Sequence, residues 1–429
     1  MQLDEYVDGL ERDESVELRK LAERKSYAIT DHIEAARTRF DETLSGGTMV
    51  GSTAPSVFVG RSSYPDVSAG LLAPVGDEAD ADSYVTDGDW YRRGFDIEDV
   101  FEKRAGLLNS TRRATVDVAD VWDGFVGTQR EVAIADRPVD VELGLAETPG
   151  FDIDGPLEDV TAPRGPRASA DDARLTENPS VPRAVERTLS DDDWRAEGAI
   201  TYLYRRGFDV YEINNVLSVG ALGLAENRRL VPTRWSITAV DDTVGQYLRG
   251  TIHNAPTLGE TLVWHNDYLG NDYWIVAAPG DWEFELLELK APGSIWNPGT
   301  DGQMYMAADR EGYEGRSEYV EETAGAYYAA RLAALEELSD RGRQAKVFVV
   351  RHATDEYWAP VGIWQLREAV RGALDAEPVV AESFHDAVRQ LEPRLPVSTA
   401  DLRRKSTMVA GVQADLSAFG AGAGAGTGR

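Results

Sequence analysis

The segment GETLVWHNDYLGNDYWIVAA, residues 259–278, decides the fold predicted for this chain. Two runs of β-branched and aromatic residues, 259–268 and 273–278, flank the short stretch Leu269-Gly-Asn-Asp272. Such runs favour β-strands, and a Gly-Asn pair between them is typical of a hairpin turn. We therefore predict two antiparallel strands joined by a tight turn.

Further strand-like runs lie on both sides of this hairpin. They are residues 235–240, 282–289, 347–350 and 358–364. Short turns between successive strands imply an antiparallel meander, while residues 318–338 have the spacing of a long amphipathic helix. We predict an α+β fold with a central antiparallel sheet, drawn from residues 230–290 and 346–365 and flanked by helices.

The first half of the chain gives a weaker pattern. The predicted elements are a helix over residues 1–40, a strand over 57–59, a loop over 61–74, a helical region over 87–108, an extended segment over 132–143, and helices over 182–189 and 193–206. The stretch 146–171 is rich in Pro and Gly and poor in large apolar residues, which is typical of a linker or a long surface loop.

From these patterns we predict four parts. They are an N-terminal region of helices and short strands (1–145), a linker or surface loop (146–171), a main α+β domain (172–397) and a flexible tail (398–429).

A ten-residue echo links two places in the chain. Residues 91–100 (YRRGFDIEDV) and 204–213 (YRRGFDVYEI) match almost residue for residue. The pattern predicts a helix that ends in Arg, a Gly just past its end, and an Asp that caps the next helix. An internal duplication and two independent helix–turn–helix corners both fit the echo.

The composition is strongly acidic, with a net charge of −31, and only six of the 44 basic residues are lysine. Because concentrated salt screens such self-repulsion, we predict a salt-adapted protein. An acidic mimic or avoider of nucleic acid is the alternative. The chain has no cysteine, which excludes thiolate zinc sites and cysteine nucleophiles. It has no membrane-length apolar run and an acidic start, so we predict a cytoplasmic protein.

The C-terminal segment carries a partner-binding pattern. Gln413, Leu416 and Phe419 follow one another at intervals of three residues before a Gly/Ala tail, so Leu416 and Phe419 share one face of a helical turn. One turn cannot bury that face alone, and such an anchor suits a pocket on another protein. The pattern resembles the clamp-binding peptide, or PIP box, with Gly420 where a second apolar residue is usual. Chance spacing in a disordered tail is the alternative.

Two constellations could support catalysis on phosphates. Glu288-Leu-Lys290, with upstream acids such as Asp267 or Asp281, resembles the acid…Glu-x-Lys pattern of nucleases that hold Mg²⁺. A solvent-facing ion pair on an edge strand explains the same pattern.

The second constellation begins at Arg234 and Trp235. Arg234 could hold a phosphate while Trp235 stacks a base, and Asp241 and Asp242 could bind Mg²⁺ or Mn²⁺. A strand that ends in an acidic turn is the structural alternative. His253 is a candidate base or a satisfied sheet residue. The loop around Arg61 and Tyr64 could stack nucleotides or pack over the sheet.

The thirteen-residue run LVPTRWSITAVDD, residues 230–242, resembles the Nre family of archaeal DNA-repair proteins. Supporting stretches are 59–61, 64–65, 70–74, 218–223 and 282–296. The resemblance implies a role in DNA-damage repair and recruitment by the sliding clamp PCNA through Gln413, Leu416 and Phe419. It supplies no reaction. Some members carry an N-terminal cysteine zinc site, which this cysteine-free chain lacks.

The first hypothesis is therefore a repair factor that reaches DNA, directly or through the clamp, without a membrane. Its acidic surface is repelled by phosphates, and a tether to the clamp offsets that repulsion. The basic run Leu402-Arg-Arg-Lys405 could meet the clamp or phosphate, or only end a helix. The second hypothesis is a metal-dependent nuclease or other phosphate-directed enzyme that uses Arg234, Asp241, Asp242 and Glu288.

Overall fold

The computed structural model describes residues 34–411, except for 42, 44–46, 77, 148, 151–164, 293, 295–296, 299–301 and 360. The chain forms two compact units, one up to Val240 together with residues 359–362, the other from Asp241 onwards. Each unit combines a six-stranded sheet with helices. The predicted α+β class is confirmed.

The sheet of the first unit is mixed. Its strands are β1 (Thr48–Ser52), β2 (Val57–Val59), β3 (Asp66–Pro74), β4 (Leu107–Thr115), β5 (Asp140–Leu145) and β6 (Arg167–Leu175), in the order β1-β5-β6-β4-β3-β2. The β4–β6 pair is parallel and the other pairs are antiparallel. The helices of this unit are α1 (Gly88–Arg92), α2 (Ile97–Ala105), α3 (Gly124–Ala133), α4 (Arg183–Ser190), α5 (Ala196–Arg205) and α6 (Val210–Ser218), and residues 34–41 are also helical.

The loop predicted over residues 61–74 is wrong for residues 66–74, which form strand β3. Its alternate residues Val67, Ala69, Leu71 and Ala73 are all buried, which is the period-two pattern of a strand. Gly70 in the middle of the strand and the prolines Pro65 and Pro74 at its ends concealed that alternation. The predicted strand over 57–59 is confirmed as β2.

The two echoing corners are confirmed. Gly94 and Gly207 follow α1 and α5 with φ angles of 71° and 90°, the left-handed conformation that glycine adopts at low cost. Asp96 and Asp209 then cap α2 and α6, and each forms a complete capping box. Local chemistry sets both corners, so the sequence alone was enough to predict them.

The sheet of the second unit contains the hairpin that was predicted over residues 259–278. Its strands are β7 (Thr261–Tyr268), β8 (Asn271–Ala278), β9 (Glu283–Lys290), β10 (Tyr305–Glu311), β11 (Lys346–Ala353) and β12 (Val379–Ala381). Leu269 and Gly270 join β7 to β8 with φ angles of 52° and 71°, as a tight hairpin turn requires.

The simple meander is wrong beyond that hairpin, because the strand order is β10-β9-β11-β8-β7-β12. Strand β11 lies between β8 and β9, antiparallel to the first and parallel to the second. The sheet is therefore mixed rather than purely antiparallel.

The strand predicted over residues 235–240 is wrong, because these residues are helical. The residues belong to α7 (Thr233–Ile252). Val240, Val244, Leu248 and Ile252 are buried at intervals of four, so the 3.6-residue period outweighs the β-branched and aromatic composition of the run. The predicted strand over 358–364 is also wrong, since no strand forms in its described residues and a helix begins at Trp364.

Helices cover both faces of the second sheet. They are α8 (Gly325–Arg341), α9 (Trp364–Leu374), α10 (Phe384–Leu391) and α11 (Thr399–Lys405). On one face Tyr273 of β8 donates a hydrogen bond to Gln365 of α9 at 2.7 Å. On the other, Trp274 and Leu287 join a core with Leu391, Leu402 and Met408.

Two predicted flexible segments contain ordered structure. Residues 167–171 of the predicted linker belong to β6, and residues 151–164 lie outside the described residues. In the predicted tail, residues 399–405 and 407–411 are helical and bury Leu402, Met408 and Val409, so flexibility from residue 398 is wrong for this part.

Gln413, Leu416, Phe419 and Gly420 lie outside the described residues. In the part of the chain that the structure describes, no helix combines the length and apolarity needed to cross a bilayer.

Candidate nucleic-acid interface

Asp241 and Asp242 each face an arginine. Asp241 is only 1% exposed, and its Oδ2 lies 2.5 Å from the guanidinium of Arg367. Asp242 lies 2.6 Å from Arg331, which also binds Glu311 at 2.9 Å. Successive residues of a helix point about 100° apart, so α7 directs the two acids to different partners.

Burial shapes the ionisation of these pairs. Burial raises the pKa of Asp241, and the neighbouring Arg367 opposes that rise. Burial by itself would lower the pKa of Arg331, but the carboxylates of Glu311 and Asp242 raise it above its ordinary value. Arg331 is thus held as a cation inside the protein, and Glu311 and Asp242 serve as its counter-ions.

The Glu-x-Lys pattern has a similar structural role. Glu288 of β9 is 4% exposed and lies 2.8 Å from Arg351 and 3.5 Å from Lys290. Its acidic companions in the prediction, Asp267 and Asp281, are exposed. The solvent-facing ion pair on an edge strand is wrong, because Glu288 lies on an interior strand and is buried.

His253 stacks on Tyr313 with ring centroids 4.1 Å apart. Within the described residues, no three or more His, Asp or Glu side chains come together as a metal site. The structure does not bring Asp241, Asp242, Glu288 and His253 into one site. The metal-dependent nuclease and its Mg²⁺ or Mn²⁺ stay a prediction.

The start of α7 differs from its acidic middle. The Thr233 hydroxyl accepts a hydrogen bond from the backbone N–H of Val59 at 2.8 Å, and the buried Ser236 donates to Asn214 at 2.6 Å. These two inward bonds fix the first turn of the helix on β2 and α6. Arg234 and Trp235, which lie between the two, are exposed.

Trp235 contacts a second exposed aromatic ring. Its ring centroid lies 5.2 Å from that of Tyr64, with the planes tilted by 56°, and the two residues are 43% and 48% exposed. Tyr64 closes a turn, since its N–H donates to the carbonyl of Arg61 at 3.2 Å. Arg113 of β4 joins this turn through a 3.5 Å contact with Ser63.

We call Arg61, Tyr64, Arg113, Arg234 and Trp235 the aromatic–arginine surface. All five residues are exposed. It presents three guanidinium groups beside two rings, on a chain whose net charge is −31. Rings of this kind stack on bases, and arginines bind phosphates through paired N–H donors. The arrangement suits a segment of single-stranded nucleic acid.

The sequence indicated two halves of this surface separately. Arg234 with Trp235 was a candidate for phosphate contact and stacking, and the loop around Arg61 and Tyr64 was a candidate for stacking. The structure brings the rings of Tyr64 and Trp235 together. Arg113 was missed. Its signal was the exposed pair Arg112-Arg113 on a strand otherwise rich in small and apolar residues, but only the β3–β4 pairing places it beside the turn.

Comparison with known proteins identifies the family. The N-terminal model of archaeal Nre matches residues 21–297, and the C-terminal model of archaeal Nre matches residues 311–419. The chain belongs to the archaeal Nre family. A protein named DNA repair protein NreA, from Haloferax volcanii, is 60% identical over 420 residues, which are 98% of this chain and 100% of that relative.

More distant Nre relatives come from Archaeoglobus fulgidus. Its DNA repair protein NreA is 36% identical over 80% of this chain and 84% of its own length, and its DNA repair protein NreB is 32% identical over 84% and 89%. No solved structure is similar to the chain.

The Nre-like stretch 218–223 has a structural explanation in the first unit. The carbonyl of Gly220 accepts a hydrogen bond from the buried Arg130 at 3.4 Å, and Val118 and Val121 supply two further carbonyls. Gly220 has a φ of 66°, and a Cβ atom there would lie 2.6 Å from the carbonyl oxygen of Arg229. Burial lowers the pKa of Arg130 to about 10. This stretch therefore helps to hold an arginine inside the fold.

Proposed function

We propose that this protein is a DNA-repair factor that a sliding clamp brings to DNA. The observation that carries the repair role is the 60% identity, over nearly the whole chain, to a relative named DNA repair protein NreA. The aromatic–arginine surface supports direct contact with nucleic acid, because exposed paired rings beside arginines suit unstacked bases and their phosphates.

The clamp is proposed to bind through Gln413, Leu416, Phe419 and Gly420. The spacing of an amide, an aliphatic and an aromatic residue supports this assignment. The C-terminal Nre model extends to residue 419 and so covers the first three of these positions. The described chain leading to them is packed into the second unit as far as Val409.

The acidic composition supports two further parts of the proposal. A protein with a net charge of −31 works best in concentrated salt, where its self-repulsion is screened. The same charge opposes non-specific attraction to DNA, so a clamp that already encircles the duplex supplies a high local concentration. We propose a salt-adapted protein of the cytoplasm.

Clamp binding is tested by a double substitution. Leu416→Ala with Phe419→Ala is expected to abolish co-purification of the clamp PCNA at high salt, because it removes both apolar anchors. Circular dichroism should show an unchanged fold. Leu395→Ala together with Phe384→Ala, two apolar residues of the folded second unit, distinguishes loss of the motif from general destabilisation. Undiminished clamp binding by the Leu416/Phe419 double variant would refute the recruitment mechanism.

Direct DNA contact is tested at the paired rings. Trp235→Ala and Tyr64→Ala are each expected to weaken binding of a single-stranded oligonucleotide by roughly 1–3 kcal/mol, the usual contribution of one stacked base. Fluorescence anisotropy at several KCl concentrations measures this. Tyr319→Ala is the matched control, because Tyr319 is 57% exposed and lies in the other unit. Equal losses for Tyr64, Trp235 and Tyr319 would rule out a specific surface.

A further inference from the structure

A pocket of about 340 Å³ lies in the second unit between α10 and α11. Its polar lining consists of His385, Arg389, Glu392, Thr399 and Arg403, and Val409 closes one side. The volume is in the range of small-molecule sites, which is about 300–1,000 Å³. None of these residues belongs to the proposed clamp-binding motif at residues 413–420 or to the aromatic–arginine surface.

Charge in the pocket favours an anion. Its lining holds two arginines and a histidine against a single acid, Glu392. Arg389 also pairs with Asp386. This local excess of basic groups lies within a chain that has 75 acidic and 44 basic residues.

Arg403 carries a side-chain donor that no described residue accepts. Its Nε and the hydroxyl of Thr399 are buried and have no hydrogen-bond partner among the residues that the structure describes. The next two residues of the same basic run differ, since Arg404 pairs with Asp401 and Lys405 lies 2.6 Å from Glu322. Buried polar groups are normally satisfied, and both of these atoms belong to residues that line the pocket.

We propose that this pocket binds a phosphate monoester, with Arg403 as its main ligand and Thr399, Arg389 and His385 around it. A guanidinium matches the geometry of phosphate oxygens better than any other side chain. The volume leaves room for the sugar and base that carry the phosphate. A partly enclosed pocket admits the end of a strand more easily than a continuous backbone.

The phosphate has two sources with the same chemistry, a free nucleotide and the 5′ end of a nucleic-acid strand. The proposed repair role enters only in making the strand end the expected source. Val409 lines the pocket, four residues before Gln413. A strand end bound here would therefore lie beside Val409, which precedes the proposed clamp-binding segment in the sequence.

The test compares two oligonucleotides that differ by one phosphate. The full chain is titrated with a 3′-labelled single strand that carries either a 5′-phosphate or a 5′-hydroxyl, at the lowest KCl concentration at which circular dichroism shows a folded protein. The phosphate is expected to tighten binding about tenfold, the usual effect of one charge-assisted contact. Equal affinity for the two strands would overturn the proposal.

Two substitutions with opposite expected effects on the affinity increment make the test specific. Arg403→Gln should remove the tenfold increment, whereas Glu392→Gln should enlarge it, because it deletes the one acid of the pocket. Arg404→Gln is the matched control and should leave the increment unchanged. An Arg404→Gln variant that loses as much as Arg403→Gln would contradict the assignment, as would an unchanged increment in both.

Competition with 5′-dAMP separates the two sources. Displacement of the phosphorylated strand by the mononucleotide supports a pocket that accepts the free phosphate monoester. Failure to displace, with the tenfold increment intact, supports a pocket that requires the strand. No clamp is present, and only the phosphate increment is measured, so this experiment can fail while clamp recruitment stands, and the reverse also holds.

Discussion

The two halves of the Nre-like run 230–242 differ in what they do with charge. Its first half shows Arg234 and Trp235 to solvent at the start of α7. Its second half turns Asp241 and Asp242 inward, onto Arg367 and Arg331. Residues that adjoin in sequence therefore belong to separate structures, one a surface and the other an internal ion-pair network. A likeness over the whole run does not make it one site.

The buried half should govern stability. Asp241→Asn keeps the side-chain shape but leaves Arg367 buried without its counter-ion. We expect a loss of about 3–5 kcal/mol in the free energy of unfolding, measured by urea denaturation in concentrated KCl. Arg234→Gln, seven residues earlier, should change the stability by less than about 0.5 kcal/mol, as surface substitutions usually do. Should both variants have the same stability, the contrast between the two halves would be lost.

Asp242 should give an intermediate loss. Its side chain is 34% exposed, and its partner Arg331 keeps the buried carboxylate of Glu311. Asp242→Asn is therefore expected to cost about 1 kcal/mol in the same denaturation experiment, since solvent weakens the pair and the guanidinium retains one counter-ion. A loss as large as that of Asp241→Asn would show that Glu311 does not compensate.

The exposed half should govern salt dependence. Arg113→Gln removes one cation of the aromatic–arginine surface. It should weaken single-strand binding by a few-fold and lower the slope of log affinity against log salt by about 0.7, the value for one phosphate contact. Arg343→Gln is the control, because Arg343 is an exposed arginine of the second unit that forms no ion pair with an acid among the described residues. An unchanged slope would remove Arg113 from the surface.

The sequence predicted best where local chemistry decides the structure. The corners at Gly94 and Gly207 and the hairpin at Leu269 and Gly270 each need a left-handed backbone, which the local residues supply. The strand over 235–240 was wrong because composition was weighed above periodicity. The four-residue spacing from Val240 to Ile252 was the signal of the helix.

The site could be predicted only in pieces. Trp235 and Tyr64 were both visible as stacking candidates, but they lie 171 positions apart in the chain, and no local pattern states that their rings meet. The partners of the acids were equally remote in sequence, since Asp241 pairs with Arg367, a residue of α9. Tertiary pairing decides which candidate residues converge, and one sequence without homologues does not contain that information.

A buried acid that backbone N–H groups hold tests how burial changes ionisation in the second unit. Glu285 of β9 is 1% exposed and accepts the backbone N–H groups of Thr407 and Met408 at 2.9 and 2.8 Å. Burial raises the pKa of Glu285, and these two hydrogen bonds oppose the rise. The folded protein therefore holds this proton more tightly than the unfolded chain does.

The sign of the pH effect follows from that shift. A raised pKa contributes stability that is complete below the ordinary glutamate value and is lost as pH rises through the folded value. The stability of the native chain minus that of Glu285→Gln should thus grow from pH 7 towards pH 5, measured by urea denaturation of both proteins. Asp309 is the control of opposite kind. Burial by itself would raise its pKa, but backbone N–H groups, foremost that of Thr323, together with the Thr323 hydroxyl lower it, so the contribution of Asp309 should stay constant over this range and fall only in stronger acid. A constant difference for Glu285 as well would mean that its two N–H donors fully offset the cost of burying its carboxylate.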